Sequence, residues 1–238
     1  MPETGFVLRE VLVDGTARPR LDHVDLELAE TGITVLAGPS GSGKSTLLRL
    51  LNRLDRPDGG TISWRGRDLD ELNTLEHRRR VGMVFQRPTV APGTVIENLR
   101  IGATDIDDES AGDLCRLVHL DPDLLDRNAA ELSGGERQRV CLARTIATGP
   151  EVILADEPTS SLDPAATEII EDLALRFAHP QSPMPIGWIW VSHDPAQVQR
   201  LADRVVVLSD GRILATGTAE ELATSDDPHV RRAVGGTV

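Results

Sequence analysis

The run Gly38-Pro39-Ser40-Gly41-Ser42-Gly43-Lys44-Ser45-Thr46 carries residue types at a spacing that suits phosphate binding. It satisfies G-x-x-x-x-G-K-[ST] in full, with an apolar, β-branched run before it and the helix formers of residues 47–51 behind it. Glycines let the backbone turn tightly and aim its N–H groups inward. A helix starting at once behind them presents free N–H donors and a positive dipole end to an anion. Lys44 is a compact cation able to follow the terminal phosphates of a nucleotide, and Ser45 offers a hydroxyl to Mg²⁺. A glycine-rich turn without a ligand has no use for the Lys-Ser pair. Of the 25 lysines and arginines, Lys44 is the only lysine. A biased base composition explains the missing lysines but not the survival of this one, where a forked guanidinium would not fit between phosphate oxygens and backbone.

Two further stretches have chemistry of the same kind. Val152-Ile153-Leu154-Ala155-Asp156-Glu157 reads as an apolar strand ending in two carboxylates. In an open α/β sheet, ligands gather at the carboxyl edge of the strands, so this end lies beside the phosphate loop. Asp156 can then hold Mg²⁺, directly or through water, and Glu157 can orient and polarise an attacking water. A surface turn with Pro158 is the plainer reading of the pair, and the phosphate loop weighs against it. Leu132-Ser133-Gly134-Gly135-Glu136-Arg137-Gln138 precedes a helix, with Ser133 as its cap. It is a second helix N-terminus suited to an anion, and with two such ends in one chain the second serves the nucleotide of a partner chain. Gln86 and His193 each follow an apolar strand, and a lone histidine at a strand end is more often structural than catalytic. Asp163 reads as a helix cap before Pro164.

These residues need elements to hold them. Apolar, strand-length runs at residues 6–13, 24–28, 33–37, 61–64, 81–85, 152–155, 189–191 and 205–208 alternate with helical patterns at residues 47–51, 165–177 and 219–224. Short buried strands alternating with helices argue an α/β sheet, mainly parallel. Residues 95–146 are helical in character and interrupt the alternation as an inserted block; 105–109 is an acidic linker or helix start. Residues 179–185 are proline-rich and read as a surface loop.

At 238 residues the chain suits one large domain with a subdomain. No window approaches a membrane span, and residues 1–4 show no leader. Cys115 and Cys141 stand in no metal spacing and read as reduced packing residues of a cytosolic protein. A net charge of −13 and 3% aromatic residues without tyrosine argue against nucleic acid as a partner.

With these motifs in this order, the chain resembles the ATP-binding subunits of ABC transporters over about residues 5–222. The Leu-Ser-Gly-Gly signature at 132–135 is nearly diagnostic. The resemblance implies a P-loop NTPase fold: a RecA-like core with a mainly parallel sheet at about 5–86 and 150–222, an antiparallel β subdomain, and a helical subdomain at about 87–149. Residues 223–238 are left as a short tail, with no regulatory domain after the core. It also implies a Mg²⁺-dependent ATPase working as a head-to-tail dimer, with Ser133, Gly134 and Gly135 contacting ATP in trans and Asp163 coupling the two sites. Gln86 would sense Mg²⁺ and water, and His193 would contact the γ-phosphate. An integral membrane permease would dock near residues 86–98, from Gln86 to Asn98, and the subunit would sit in the cytoplasm on the inner face of the membrane. The chain departs from the family in the loop after the first strand, which lacks an adenine-stacking aromatic; Val13 falls at that position, with Arg18 and Arg20 nearby to stack instead. Glu136 stands where glutamine is commoner. Residues 82–89 are similar to phosphate-importer ATPases, whereas residues 93–99, the short helical block and Glu131 look more like ATPases paired with a metal- or iron-export subunit; the balance leans to the second, although neither stretch would touch the cargo. A non-transport ABC ATPase, acting in DNA repair or translation, is the alternative.

Overall fold

A strand buried on both faces sorts its side chains by period two, and here that period separates two cores. In β9, Val205 and Val207 face one cluster while Val206 and Leu208 face the other. The computed structural model describes residues 4–236. Residues 1–3, on which most of the no-leader reading rests, and 237–238, the end of the expected tail, lie outside the described residues.

The elements run β1 (Thr4–Val13), β2 (Leu21–Ala29), β3 (Ile33–Ala37), α1 (Lys44–Leu51), β4 (Gly59–Trp64), β5 (Arg67–Asp68), α2 (Thr74–Arg80) and β6 (Val81–Val84). Then follow α3 (Val95–Gly102), α4 (Asp108–Leu117), α5 (Gly134–Ala147), β7 (Val152–Asp156), α6 (Pro164–Ala178), β8 (Gly187–Val191) and α7 (Pro195–Leu201). β9 (Arg204–Ser209), β10 (Arg212–Gly217), α8 (Ala219–Ala223) and α9 (Pro228–Ala233) complete the chain. Six strands form a sheet of order β10-β9-β3-β8-β7-β6, parallel except for the β10 edge; four form an antiparallel sheet of order β2-β1-β4-β5. The antiparallel sheet and α1 cover one face of the larger sheet through Leu36, Leu154, Ile189 and Leu208. Helices cover the other face over Val35, Ile153, Trp188 and Trp190. Coverage on both faces is why these strands are continuously apolar.

The structure revises several expectations. The strand at 81–85 stops at Val84, and Phe85 is 42% exposed, because the chain turns outward there toward Gln86. Buried residues of α3, α4 and α5, among them Leu99, Cys115 and Val140, share one cluster with the sheet residues. Burial pushes the Cys115 thiol up to about 11, which fits a packing cysteine. α2, α7, β10 and α9 have no counterpart in the strand and helix runs read from sequence. Most of the expected tail is folded: α9 buries Val230, the following residue Val234 is also buried, and α8 is not the last helix.

Candidate nucleotide site

Strand order alone assembles most of the site. β3, β8, β7 and β6 are parallel neighbours, so their carboxyl ends lie along one edge. The phosphate loop leaves β3, His193 follows β8, Asp156 ends β7 with Glu157 behind it, and Gln86 follows β6. Sequence spacing could not show that β8 lies between β3 and β7.

The loop needs its glycines for two different reasons. Gly38 has φ 137°, and a Cβ there would stand 2.0 Å from the Leu208 carbonyl oxygen; Gly43 has φ 107°, and its Cβ would stand 2.5 Å from that of Arg20. Both are therefore held by the neighbouring backbone as well as by their own dihedrals. Gly43 caps α1 without any side-chain partner, which leaves the first-turn N–H groups for an anion. Pro39, Ser40 and Gly41 lie exposed on the loop, while Ser42 is buried beneath it and Thr46 is half-buried on α1.

Lys44 is 5% exposed, and its Nζ donates to the carbonyls of Gly38 and Pro39 at 2.8 Å each, with Ser42 Oγ at 3.4 Å. Burial lowers its pKa, opposed by the carboxylates of Glu157 and Asp156. Ser45 Oγ donates to Asp156 Oδ1 at 2.8 Å. Burial raises the pKa of Asp156, and the Ser45 hydrogen bond opposes it. Glu157 has φ 44°, a left-handed turn rare outside glycine. Gln86 Nε2 donates to Glu157 Oε2 at 3.1 Å and to Ser160 Oγ at 3.4 Å, and His193 Nδ1 lies 3.4 Å from the same Oε2. Lys44, Ser45, Asp156, Glu157, Gln86 and His193 thus gather at one place.

Ser133, Gly134, Gly135 and Asp163 stand apart. Among the described residues no hydrogen bond or ion pair joins them to the phosphate loop. Ser133 caps α5 in a capping box with Glu136: its Oγ accepts from Glu136 N at 3.2 Å, and its N–H donates to Glu136 Oε2 at 2.8 Å. A Cβ at Gly134 would meet nothing within 4 Å, so this helix end faces outward. Asp163 caps α6 by accepting from Ala166 N at 2.9 Å. Gln138, the last residue of the signature, is buried and donates to the Phe85 carbonyl at 3.1 Å, directly before Gln86. Its spacing in the signature was visible, but the bond was not.

The base-stacking expectation for Val13 fails. Val13 is 1% exposed within the core between the two sheets, paired with Leu21, so it has no face for a ring. Arg18 pairs with Asp210 and Arg20 Nε donates to the Asp14 carbonyl, so both guanidiniums stay on the surface but are already engaged.

The sequence profile described as ABC transporter matches residues 21–160, more than half of the chain. The chain belongs to the ABC transporter family. Within that family it is of the ATP-binding, ATP-hydrolysing kind. It is 42% identical over 216 residues to Protein STAR1 of Oryza sativa subsp. japonica, covering 89% of this chain and 62% of that protein. It is 38% identical over 242 residues to Phosphate import ATP-binding protein PstB 2 of Natronomonas pharaonis, covering 94% of this chain and 83% of that one. Its fold is similar to the dimeric, ADP- and Pi-bound post-hydrolysis structure of the ATP-binding cassette MJ0796, with a TM-score of 0.78, 27% identity, and 90% and 98% of the two chains covered. Among the described residues no helix is long and apolar enough to cross a membrane.

Proposed function

We propose that this ABC ATPase powers transport of a solute through a separate membrane-spanning partner, by ATP-driven closure of two copies of the chain. One observation carries the reading: two contact groups, Ser45 with Asp156 and Gln86 and His193 with Glu157, stand side by side on consecutive residues at the end of β7. Such a set is organised for attack of water on a terminal phosphate. Glu157 takes the water's proton; Gln86 and His193 both hold the Oε2 of its carboxylate; Lys44 and the loop N–H groups offset charge on the phosphates. The donor set of Ser45 hydroxyl beside the half-buried Asp156 carboxylate fits Mg²⁺, which favours oxygen ligands and few protein carboxylates. Bound there, Mg²⁺ would supply Lewis-acid neutralisation of phosphate charge.

The outward-facing N-terminus of α5 supports a second chain's ATP as the ligand of Ser133, Gly134 and Gly135, with Asp163 at the contact between copies. The helical block at 87–149 would move with Gln86. The permease would dock beside it, in a groove of about 260 Å³ lined by Met83, Phe85, Ile101 and Arg144 among others, where Ile101 is 62% exposed. Asn98, at the far end of the expected docking stretch, is fully buried: it accepts from Ala91 N and donates to the Ala91 and Thr94 carbonyls, so it holds the loop rather than a partner. The chain would then sit on the cytoplasmic face of a membrane. Residues 82–89 and the similarity to a phosphate import protein favour phosphate as cargo over a metal ion.

The test is Glu157→Gln, which keeps size and removes the base. With saturating Mg-ATP the variant runs as a dimer in light scattering and hydrolyses no ATP. A variant that remains monomeric sinks the trans arrangement; one that hydrolyses at the wild-type rate sinks the role of Glu157.

A further inference from the structure

His193 is exposed, and its place depends on the segment that carries it. That segment continues into α7, whose inner edge bears a buried polar side chain with no role in the reading above. Gln197 is 6% exposed. Its Nε2 donates to Thr159 Oγ1 at 2.9 Å and to Glu171 Oε1 at 2.7 Å, and its Oε1 accepts from Trp190 Nε1 at 3.2 Å. Both amide protons and one acceptor site are therefore used inside the protein.

The partners come from three separate segments. Thr159 is buried two residues after Glu157, in the stretch that leads to Asp163. Glu171 is buried on α6, and Arg200, one turn further along α7, grips it through Nε at 3.1 Å and a terminal nitrogen at 2.9 Å. Trp190 is buried on β8, three residues before His193. A polar cavity of about 230 Å³ lies among these groups, bordered by Glu157, Thr159, Glu171, His193 and Gln197.

We propose that Gln197 is a positioning residue for hydrolysis, tying the segment of Glu157 and Asp163 to the segment of His193 through the Thr159 hydroxyl. The proposal rests on the ATPase reading of the site. Glu157 turns through a left-handed conformation, so its carboxylate is set by how the following residues are held. Thr159 is the nearest of those residues with a side chain fixed from outside its own loop. His193 and Glu157 are 3.4 Å apart, and a shift of either segment changes that distance directly. A buried amide satisfied on both sides holds such a geometry because any displacement leaves a buried polar group unpaired.

The experiment measures steady-state ATP hydrolysis and thermal melting for Gln197→Leu, Thr159→Val, the double variant and Thr159→Ser. Loss of the tie lowers kcat about tenfold with KM for ATP unchanged, as expected for misplaced catalytic groups. Thr159→Val reproduces the loss at nearly constant volume, Thr159→Ser restores activity, and the double variant is no worse than the deeper single one. Should Gln197→Leu not fold, the Thr159→Val and Thr159→Ser pair decides alone. A kcat near the wild-type value in Thr159→Val, losses that multiply in the double variant, or a change confined to KM overturns the proposal. Wild-type hydrolysis that Glu157→Gln abolishes keeps the underlying reading standing whichever way Gln197 falls.

Discussion

Lys44→Arg conserves charge at the one position where the chain uses lysine, and it should abolish hydrolysis almost as completely as Lys44→Met. The ammonium has three protons and meets three oxygens, two carbonyls at 2.8 Å and a hydroxyl at 3.4 Å. A guanidinium is larger, planar and forked, and cannot direct its donors to three oxygens around a point. The loop cannot retreat to make room, because at Gly38 and Gly43 the neighbouring backbone already stands where a single added carbon would go. The arginine head is therefore pushed toward the phosphate position, or the loop is pushed off it. A displacement of about 1 Å costs roughly 100-fold, or about 2.7 kcal/mol, in kcat/KM. Phosphate release under saturating Mg-ATP reads the rate, calorimetric titration with ATP reads binding, and a melt checks folding. An arginine variant within about threefold of wild type, a difference under roughly 0.7 kcal/mol, would refute the argument from size and shape and leave only charge.

Two predictions concern stability. His77 is 2% exposed, stands edge-on to Trp64 and Phe6, and makes a 2.7 Å hydrogen bond from Nε2 to the Leu51 carbonyl; burial lowers its pKa, with the neighbouring Arg53, Arg80 and Arg78 acting the same way. The unfolded chain then binds the proton more readily, so stability is complete above the ordinary imidazole value of about 6.5 and declines as pH falls below it; melting temperatures from neutral to mildly acid pH should drop less steeply for His77→Gln, and parallel curves would discredit the assignment. Deleting residues 228–238 uncovers the sites of Val230 and Val234 and removes the Gln199 Nε2 bond to the Val234 carbonyl at 2.6 Å. Two fully buried valines are worth about 3–5 kcal/mol, which for a chain of this length lowers the melting temperature by about 10 °C; an unchanged melt would mean that α9 is dispensable to the fold.

The site was legible in sequence to the extent that function selects residue types. A lysine in a glycine loop and two carboxylates closing an apolar strand announce their chemistry wherever they stand. The continuous apolar runs of β3, β7 and β9 likewise declared a sheet covered on both faces. What failed was of another kind. Gln197 looks like a solvated residue of a short helix, and its partners Thr159 and Glu171 lie 38 and 26 positions away. Val13 falls at a family position by resemblance, but its alternation with Val11 along β1 places it in the core, a local pattern that outweighs the resemblance. α9 did carry a signal, with Asp227 capping, Pro228 opening the helix, and valines four apart. α2 was masked by His77-Arg78-Arg79-Arg80, a run that reads as surface although His77 is core.

Ser133 is read from sequence both as a helix cap and as a ligand of a second chain's phosphate. The hydrogen-bond arithmetic bears on whether one side chain can serve both. A serine hydroxyl has one proton and two acceptor sites. At Ser133 one acceptor site is filled by Glu136 N, and the Glu136 carboxylate is held low in pKa by the Ser133 side chain and, after it, by the Ser133 N–H. The hydroxyl proton faces that carboxylate and is free to rotate, on a helix end whose next residue, Gly134, has open space before it. A phosphate oxygen arriving from a second chain would compete with Glu136 for it. Glutamate at position 136 in place of the commoner glutamine preserves this arrangement, because the capping box needs only an acceptor there. The same economy holds at Asp163, an exposed residue where one carboxylate oxygen caps α6 and the other would be available to the proposed contact between copies. A substitution at either residue will therefore mix a helix-end effect with a ligand effect, and Ser133→Asp separates them: it retains the cap through a carboxylate, while setting a negative charge against the phosphate. If the α5 end serves ATP in trans, Ser133→Asp melts like the wild type and loses ATP-driven dimerisation; dimerisation that survives the added charge would place the ATP of the partner elsewhere.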